Sequence, residues 1–348
     1  MLEIWRAGGS NTGATPELAR AVEAEGWDGQ MFMDSQSLSA DPYVQMGAWA
    51  AWTARLKLSP GVTNPLTRNI AVTAAGAATV QAVSNGRAVL GIGRGDSALA
   101  YLGLAPARLA AFERALTGLQ TLLGGGEIPF EASGEASVHE LSLGARPESV
   151  KLRWLPEGLP KVPLDVAATG PKVIAMAARI AERVTFSIGA EVERAEWALG
   201  LARAAGGAGV SCGAQVIVVC HPDDATAMEV AMAMAPPLAR FQVMQGSAAG
   251  PSDAGDAASY DAIRSGYDMT KHGGVHETQR LTHGALSPEF VRRFAIVGPP
   301  DHCTERLLAL RKAGLERFVV VGPGFYPPGW GEAAGLFVRE VIPALRAA

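Results

Sequence analysis

Residues 87–97 read RAVLGIGRGDS, an apolar run that opens into a glycine cluster. Where that cluster falls decides between two α/β architectures. In an open doubly wound sheet, a G-x-G-x-x-G loop directly follows the first strand and cradles a phosphate. Here the first apolar run is 2–6, and Ala7-Gly8-Gly9-Ser10 behind it lacks that spacing. GIGRG stands behind the fourth run instead, and it does not complete the spacing either.

Working outward from this stretch, the same alternation repeats. Apolar runs at 2–6, 30–34, 56–63, 87–93, 163–167, 183–188, 214–220 and 317–322 are each followed by a helical pattern. The runs are apolar throughout rather than alternating, as parallel strands covered by helices on one face should be. Thr15 before Pro16 and Asp41 before Pro42 read as helix starts, and Ser84-Asn85-Gly86 as a helix stop. Eight strand–helix units predict a (β/α)8 TIM barrel forming one domain over 1–348. Two stretches, 124–161 and 246–290, break the alternation and are expected as long insertions on the catalytic face. A short hairpin is expected around 139–143 in the first.

Thirty Lys and Arg against 34 Asp and Glu give a net charge of −4, which argues against nucleic acid as a partner. With 48% hydrophobic and 18% charged residues, the chain can bury a large core. Three cysteines, none in a CxxC pair, exclude a disulfide scaffold and a sequence-local zinc site. No basic-then-apolar leader is visible, and no apolar run reaches the ~18 residues a membrane span needs. A cytoplasmic protein that binds no membrane is expected.

In a barrel the chemistry sits where the strands end. The residues there are rich in Gly, Ser, Thr and Asn, which suits a flat cofactor bound largely by backbone groups. Ala168-Thr169-Gly170-Pro171 enters a helix directly, where free N–H groups and the helix dipole attract an anion. Ser187-Ile188-Gly189-Ala190 makes a similar turn after the next strand. Ordinary turn chemistry explains either turn equally well. Within Gly93-Arg94-Gly95-Asp96, Asp96 is the carboxylate best placed for proton transfer, with a helix cap or an ion pair to Arg94 as the plainer reading. His272, His276 and His283 cluster in the second insertion, but Gly273-Gly274 makes a helix there doubtful, so substrate contact or a solvated loop is expected rather than a metal. Trp5 ends the first run and is expected at the substrate pocket, with Tyr267 and His272 covering it.

GVTNPLTRN (61–69), followed by SNGRAVLGIGRGDSALAYLG (84–103), closely resembles the luciferase-like monooxygenase superfamily. The branch it looks most like is the methylene-tetrahydromethanopterin reductase-like, deazaflavin-dependent one. AATGPK (167–172), AERVTFSIGAE (181–191) and RFAIVGPPDHCTERL (293–307) follow in the same order. The resemblance implies a barrel with insertions, often a homodimer, holding coenzyme F-420 (8-hydroxy-5-deazaflavin) or FMN. It implies a non-prolyl cis peptide at Gly61-Val62 beneath the ring, and Thr63 and Asn64 along the ring's polar edge. Asp34 and Ser35 would lie near the ring. Ala168, Thr169, Gly170, Pro171, Ser187, Ile188, Gly189 and Ala190 would form the phosphate turns, and Asp96 would sit near the reacting centre with Gly93 and Arg94. Ser35 stands where many deazaflavin-dependent relatives carry His, so a dehydrogenase using that His as base is not the expected activity.

The expected function is hydride transfer between F-420 and a small organic substrate, with Asp96 and Asp34 as catalytic residues and no metal. One alternative is an FMN-dependent monooxygenase served by a flavin reductase partner. The other is a flavin-binding barrel without catalysis.

Overall fold

The computed structural model describes residues 2–130, 138–206, 209–244, 246, 248–253, 255–272, 286–326 and 329–348. Eleven strands are present among them: β1 (Glu3–Gly8), β2 (Gly29–Phe32), β3 (Lys57–Pro60), β4 (Leu90–Ile92), β5 (Glu127–Pro129), β6 (Ser149–Lys151), β7 (Leu164–Ala168), β8 (Arg183–Phe186), β9 (Ser211–Cys220), β10 (Ile296–Gly298) and β11 (Arg317–Val321). The main sheet is parallel and runs β3-β2-β1-β11-β9-β8-β7-β4, with β10 added beside β9. Its two ends meet. Bridges Leu58↔Ala88 and Thr63↔Ile92 join β3 to β4, on either side of a cis Gly61-Val62 peptide. A side chain at Gly91 would meet the Pro60 carbonyl at 2.2 Å, so this seam closes only with glycine. The molecule is a (β/α)8 TIM barrel.

The helices start where their caps say they should. Thr15, Asp41, Asn69, Asp223 and Ser287 each accept a hydrogen bond from a backbone N–H in the first turn of the helix that follows. One apolar layer lies between strands and helices. A second fills the barrel interior with Trp5, Met31, Val319 and Val321, and continues into Met234 of the helix Asp224–Ala239 and into Tyr260, Ile263 and Phe290 of the second insertion. The insertion is thereby packed onto the barrel mouth. No helix among the described residues is long and apolar enough to cross a membrane.

Two expectations need correction. The hairpin of the first insertion is not at 139–143. Its strands are β5 and β6, pairing Ile128 with Val150, and Val138–Glu140 forms a single 3-10 turn between them. The β-branched residues that favour pairing flank the polar HELS stretch rather than lie within it. The second insertion is also not loop alone. It carries helices Asp256–Gly266 and Pro288–Phe294 and ends in β10.

Candidate active site

The C-terminal strand ends surround a cavity of about 1060 Å³. Its floor and sides come from the loops after β2, β3, β4, β7 and β8, and from Gln215 on β9. Its cover is the segment from Ala233 to Met244 together with His272 and Phe325. Asp34, Ser35, Gly61, Val62, Asn64, Gly93, Arg94, Asp96, Thr169, Gly170, Pro171, Ser187 and His272 all face it, as the sequence suggests.

One side of the cavity is polar. The Asp34 carboxylate is nearly buried and pairs with Arg68 at 2.6 Å, whose other nitrogen holds Asp41 at 2.6 Å. The Ser35 and Ser97 hydroxyls lie 3.3 Å apart. Asn64 accepts the N–H groups of Leu66 and Thr67 at 3.0 Å, which leaves its NH2 group to bind. Asp96 precedes the short helix Ser97–Ala100 but does not cap it with its side chain. Nor does it pair with Arg94, whose Nε donates to the Ala107 carbonyl. The partner of Asp96 is Arg240, reaching in from the cover. Arg240 also stacks on Phe241 and Tyr267, and burial lowers its pKa.

The first anion turn is open. Gly170 is the N-cap of helix Pro171–Ile180, no side chain caps it, and Lys172 stands exposed in the first turn. The second turn contributes Ser187 only. Ser187 donates to Gln215 at 3.1 Å, and its carbonyl accepts from Thr169 at 3.3 Å and from Gln242 at 2.6 Å. Beyond it the chain turns away from the cavity. The N–H of Ala190 donates to Phe294, the Ile188 carbonyl accepts from Arg194, and Gly189 has φ +85° with Phe294 packed where a side chain would be. Ile188, Gly189 and Ala190 therefore do not line the site.

Four more residues sit elsewhere. Ala168 packs outward because side chains alternate along β7, and Ala167 takes the inward position. Thr63 is fully buried in the β3–β4 seam, bonded through its backbone to Gly91 and Gly93. Trp5 is three residues short of the end of β1, so it lies in the barrel's lower layer. There its N–H donates to Glu3 and Arg183 covers its ring. Tyr267 stands one step behind the cavity and hydrogen-bonds His272 Nδ1. Burial and the Arg240 charge push His272 down to about 4. His276 and His283 lie outside the described residues.

Residues 4–317 match the luciferase-like monooxygenase family. The chain belongs to that family. This luciferase-like barrel is 25% identical to 5,10-methylenetetrahydromethanopterin reductase of Archaeoglobus fulgidus, over 94% of either chain. It is 27% identical to F420-dependent glucose-6-phosphate dehydrogenase of Microbacterium testaceum, over 86% of this chain and 82% of that one. Among solved structures, the coenzyme F420-dependent tetrahydromethanopterin reductase from Methanopyrus kandleri shares its fold with a TM-score of 0.73, at 21% identity and 99% coverage of both chains. The FMN-bound oxygenating constituent of 3,6-diketocamphane monooxygenase, from the CAM plasmid of Pseudomonas putida, gives 0.63 at 17% identity, again over 99% of both. Membership places the protein among oxidoreductases.

Sequence reading of this luciferase-like site missed Arg68, Arg194, Arg240 and Gln242. Arg68 lies within the quoted stretch 61–69 but is not singled out there, and the other three reach the site from elements that carry no motif. Gln215 could have been found, because it is the one polar residue within the apolar run 214–220.

Proposed function

We propose that this luciferase-like barrel moves a hydride between coenzyme F-420 and a small organic substrate. What carries the reading is a cavity with an open anion turn at one end, together with full-length similarity to relatives named F420-dependent. The residues fit such a cofactor. Thr169, Gly170 and Lys172 would hold its phosphate, Gly61 and Val62 would underlie the ring, and Asn64 and Ser35 would meet the ring's polar edge. When bound, the cofactor would supply the hydride. Asp96, held by Arg240, fixes a carboxylate beside the reacting centre, where it positions the substrate and exchanges its proton. Asp34, held by Arg68, keeps a second carboxylate on the same side. The cover from Ala233 to Met244 excludes water.

The FMN reading is favoured by the likeness to the FMN-bound monooxygenase, and it would require a flavin reductase partner. Titrating the purified protein with F-420 and with FMN, following ring fluorescence, separates the two. Tight binding of F-420 alone is the expected outcome. Tight binding of FMN alone, with oxygen uptake, overturns it. Binding of neither points to a barrel without this chemistry.

A further inference from the structure

Between its few polar groups the cavity is lined by apolar side chains: Met31 of β2 and Met33 after it, Met234 and Leu238 of the cover, Phe241, and Phe325 after β11. Methionine and leucine make an adaptable apolar surface that fills around irregular shapes. The inward charges are already matched. Arg240 is neutralised by Asp96 and Asp34 by Arg68, all four side chains being largely buried, and the lining Arg94 is engaged by the Ala107 carbonyl. The exposed cation Lys172 stands at the anion turn, where the cofactor phosphate proposed above would take it up. A phosphate or carboxylate entering against the methionines would be desolvated among guanidiniums that already have partners, and an unpaired buried charge is disfavoured more than apolar contact can offset.

From this apolar lining and its already paired charges we propose that the substrate is an uncharged, largely apolar molecule, without phosphate or carboxylate, seated against Met234, Leu238 and Phe241. The function proposed above supplies the cofactor, and the present inference adds the class of its reaction partner. Selectivity then comes from shape and from exclusion of charge.

The test is calorimetric. The F-420-loaded protein is titrated with 2-decanone as the apolar probe and with glucose 6-phosphate as the charged one. The same two probes are run on the cofactor-free protein by displacement of an apolar naphthalene dye. Saturable binding of 2-decanone, at least tenfold tighter than glucose 6-phosphate, is expected. A Met234→Lys variant, which places a free cation in the wall, should weaken the ketone at least tenfold while F-420 binds as before. Tighter binding of glucose 6-phosphate overturns the proposal, as does absence of ketone binding to either form. The wild-type comparison stands on its own if the variant does not fold. Failure of F-420 to bind, with the dye still displaced by the ketone, overturns the cofactor reading and leaves the apolar pocket standing.

Discussion

Arg194 has no exposed surface, and every acceptor it meets is uncharged: the carbonyls of Ile188, Ala249 and Pro251, and the side-chain oxygen of Gln242. Gln242, fixed by that bond, donates to the Ser187 carbonyl, which also receives Thr169. One guanidinium therefore ties the second insertion to both turns at the anion end of the cavity. Replacing it with methionine leaves four acceptors without their donor, two of them buried, the Ile188 carbonyl and the Gln242 side-chain oxygen. A buried acceptor left without its donor costs ~1–3 kcal/mol, so Arg194→Met should show a loss of at least that size in urea unfolding. F-420 affinity should fall as well, because Gln242 is no longer held toward Ser187. Little of this was legible in the sequence. The glycines of 93–95 announce a backbone loop, and Thr169-Gly170-Pro171 announces a helix entry, because those residue types have local reasons to be there. The pairing of Asp96 with Arg240 spans 144 positions and has no local reason. The neighbour in sequence, Arg94, is the natural guess and the wrong one.

The helices Pro42–Trp52 and Ile70–Val83 lie side by side and are apolar on every face. A helix that covers a barrel should turn a polar face outward. These turn out Val44, 75% exposed, and Val72, 59% exposed, beside small residues at 75, 76 and 79. Such a face is the proposed contact with a second copy of the chain. Sedimentation should find a dimer for the natural protein and a monomer for a Val44→Glu, Val72→Glu double variant. A wild-type monomer would remove the assignment. The sequence did not reveal this patch, because in an alanine-rich helix the inward and outward positions carry the same residue types. Elements with distinct end signals were easier to read. Thr15-Pro16 and Asp41-Pro42 start helices where expected, whereas β10, three residues long, offers no period to detect.

Across the whole molecule, charge is buried at both ends of the barrel axis. At the closed end Glu3 of β1 pairs with Lys57 of β3 and Arg183 of β8, each at 2.5 Å. There too Asp165 of β7 pairs with Arg317 of β11 at 3.2 Å. Burial alone would raise the Glu3 carboxyl, but Arg183, Lys57 and Trp5 outweigh it and hold it at about 2 against an ordinary 4.5. At the open end His272 is held near 4 against an ordinary 6.5. Both groups bind protons more readily in the unfolded chain, so both lose stability for the fold as pH falls. The His272 contribution is complete above pH 6.5 and fades toward 4. That of Glu3 is complete above pH 4.5 and fades toward 2. Thermal unfolding should decline in two stages on acidification, and His272→Asn should remove the upper stage only. A single stage, unchanged in the variant, would contradict this. The barrel itself was legible because eight strands buried on both faces leave long apolar runs at regular intervals. Its floor was not, since Glu3, Arg183 and Arg317 sit at run ends and read as surface charges.

The long strand β9 has one more consequence. Its first half pairs with β8 and β11, and its last three residues pair with β10, setting Cys220 opposite Gly298. Everything from His221 to Ala295 thus leaves and re-enters the barrel at neighbouring points of one ladder. The segment behaves as a cassette with fixed terminals: its interior can lengthen, shorten or be exchanged while the strands that hold its ends keep their register. A lineage built this way can vary the apolar side chains of the cover while Gln242, which reaches the anion end, stays in place.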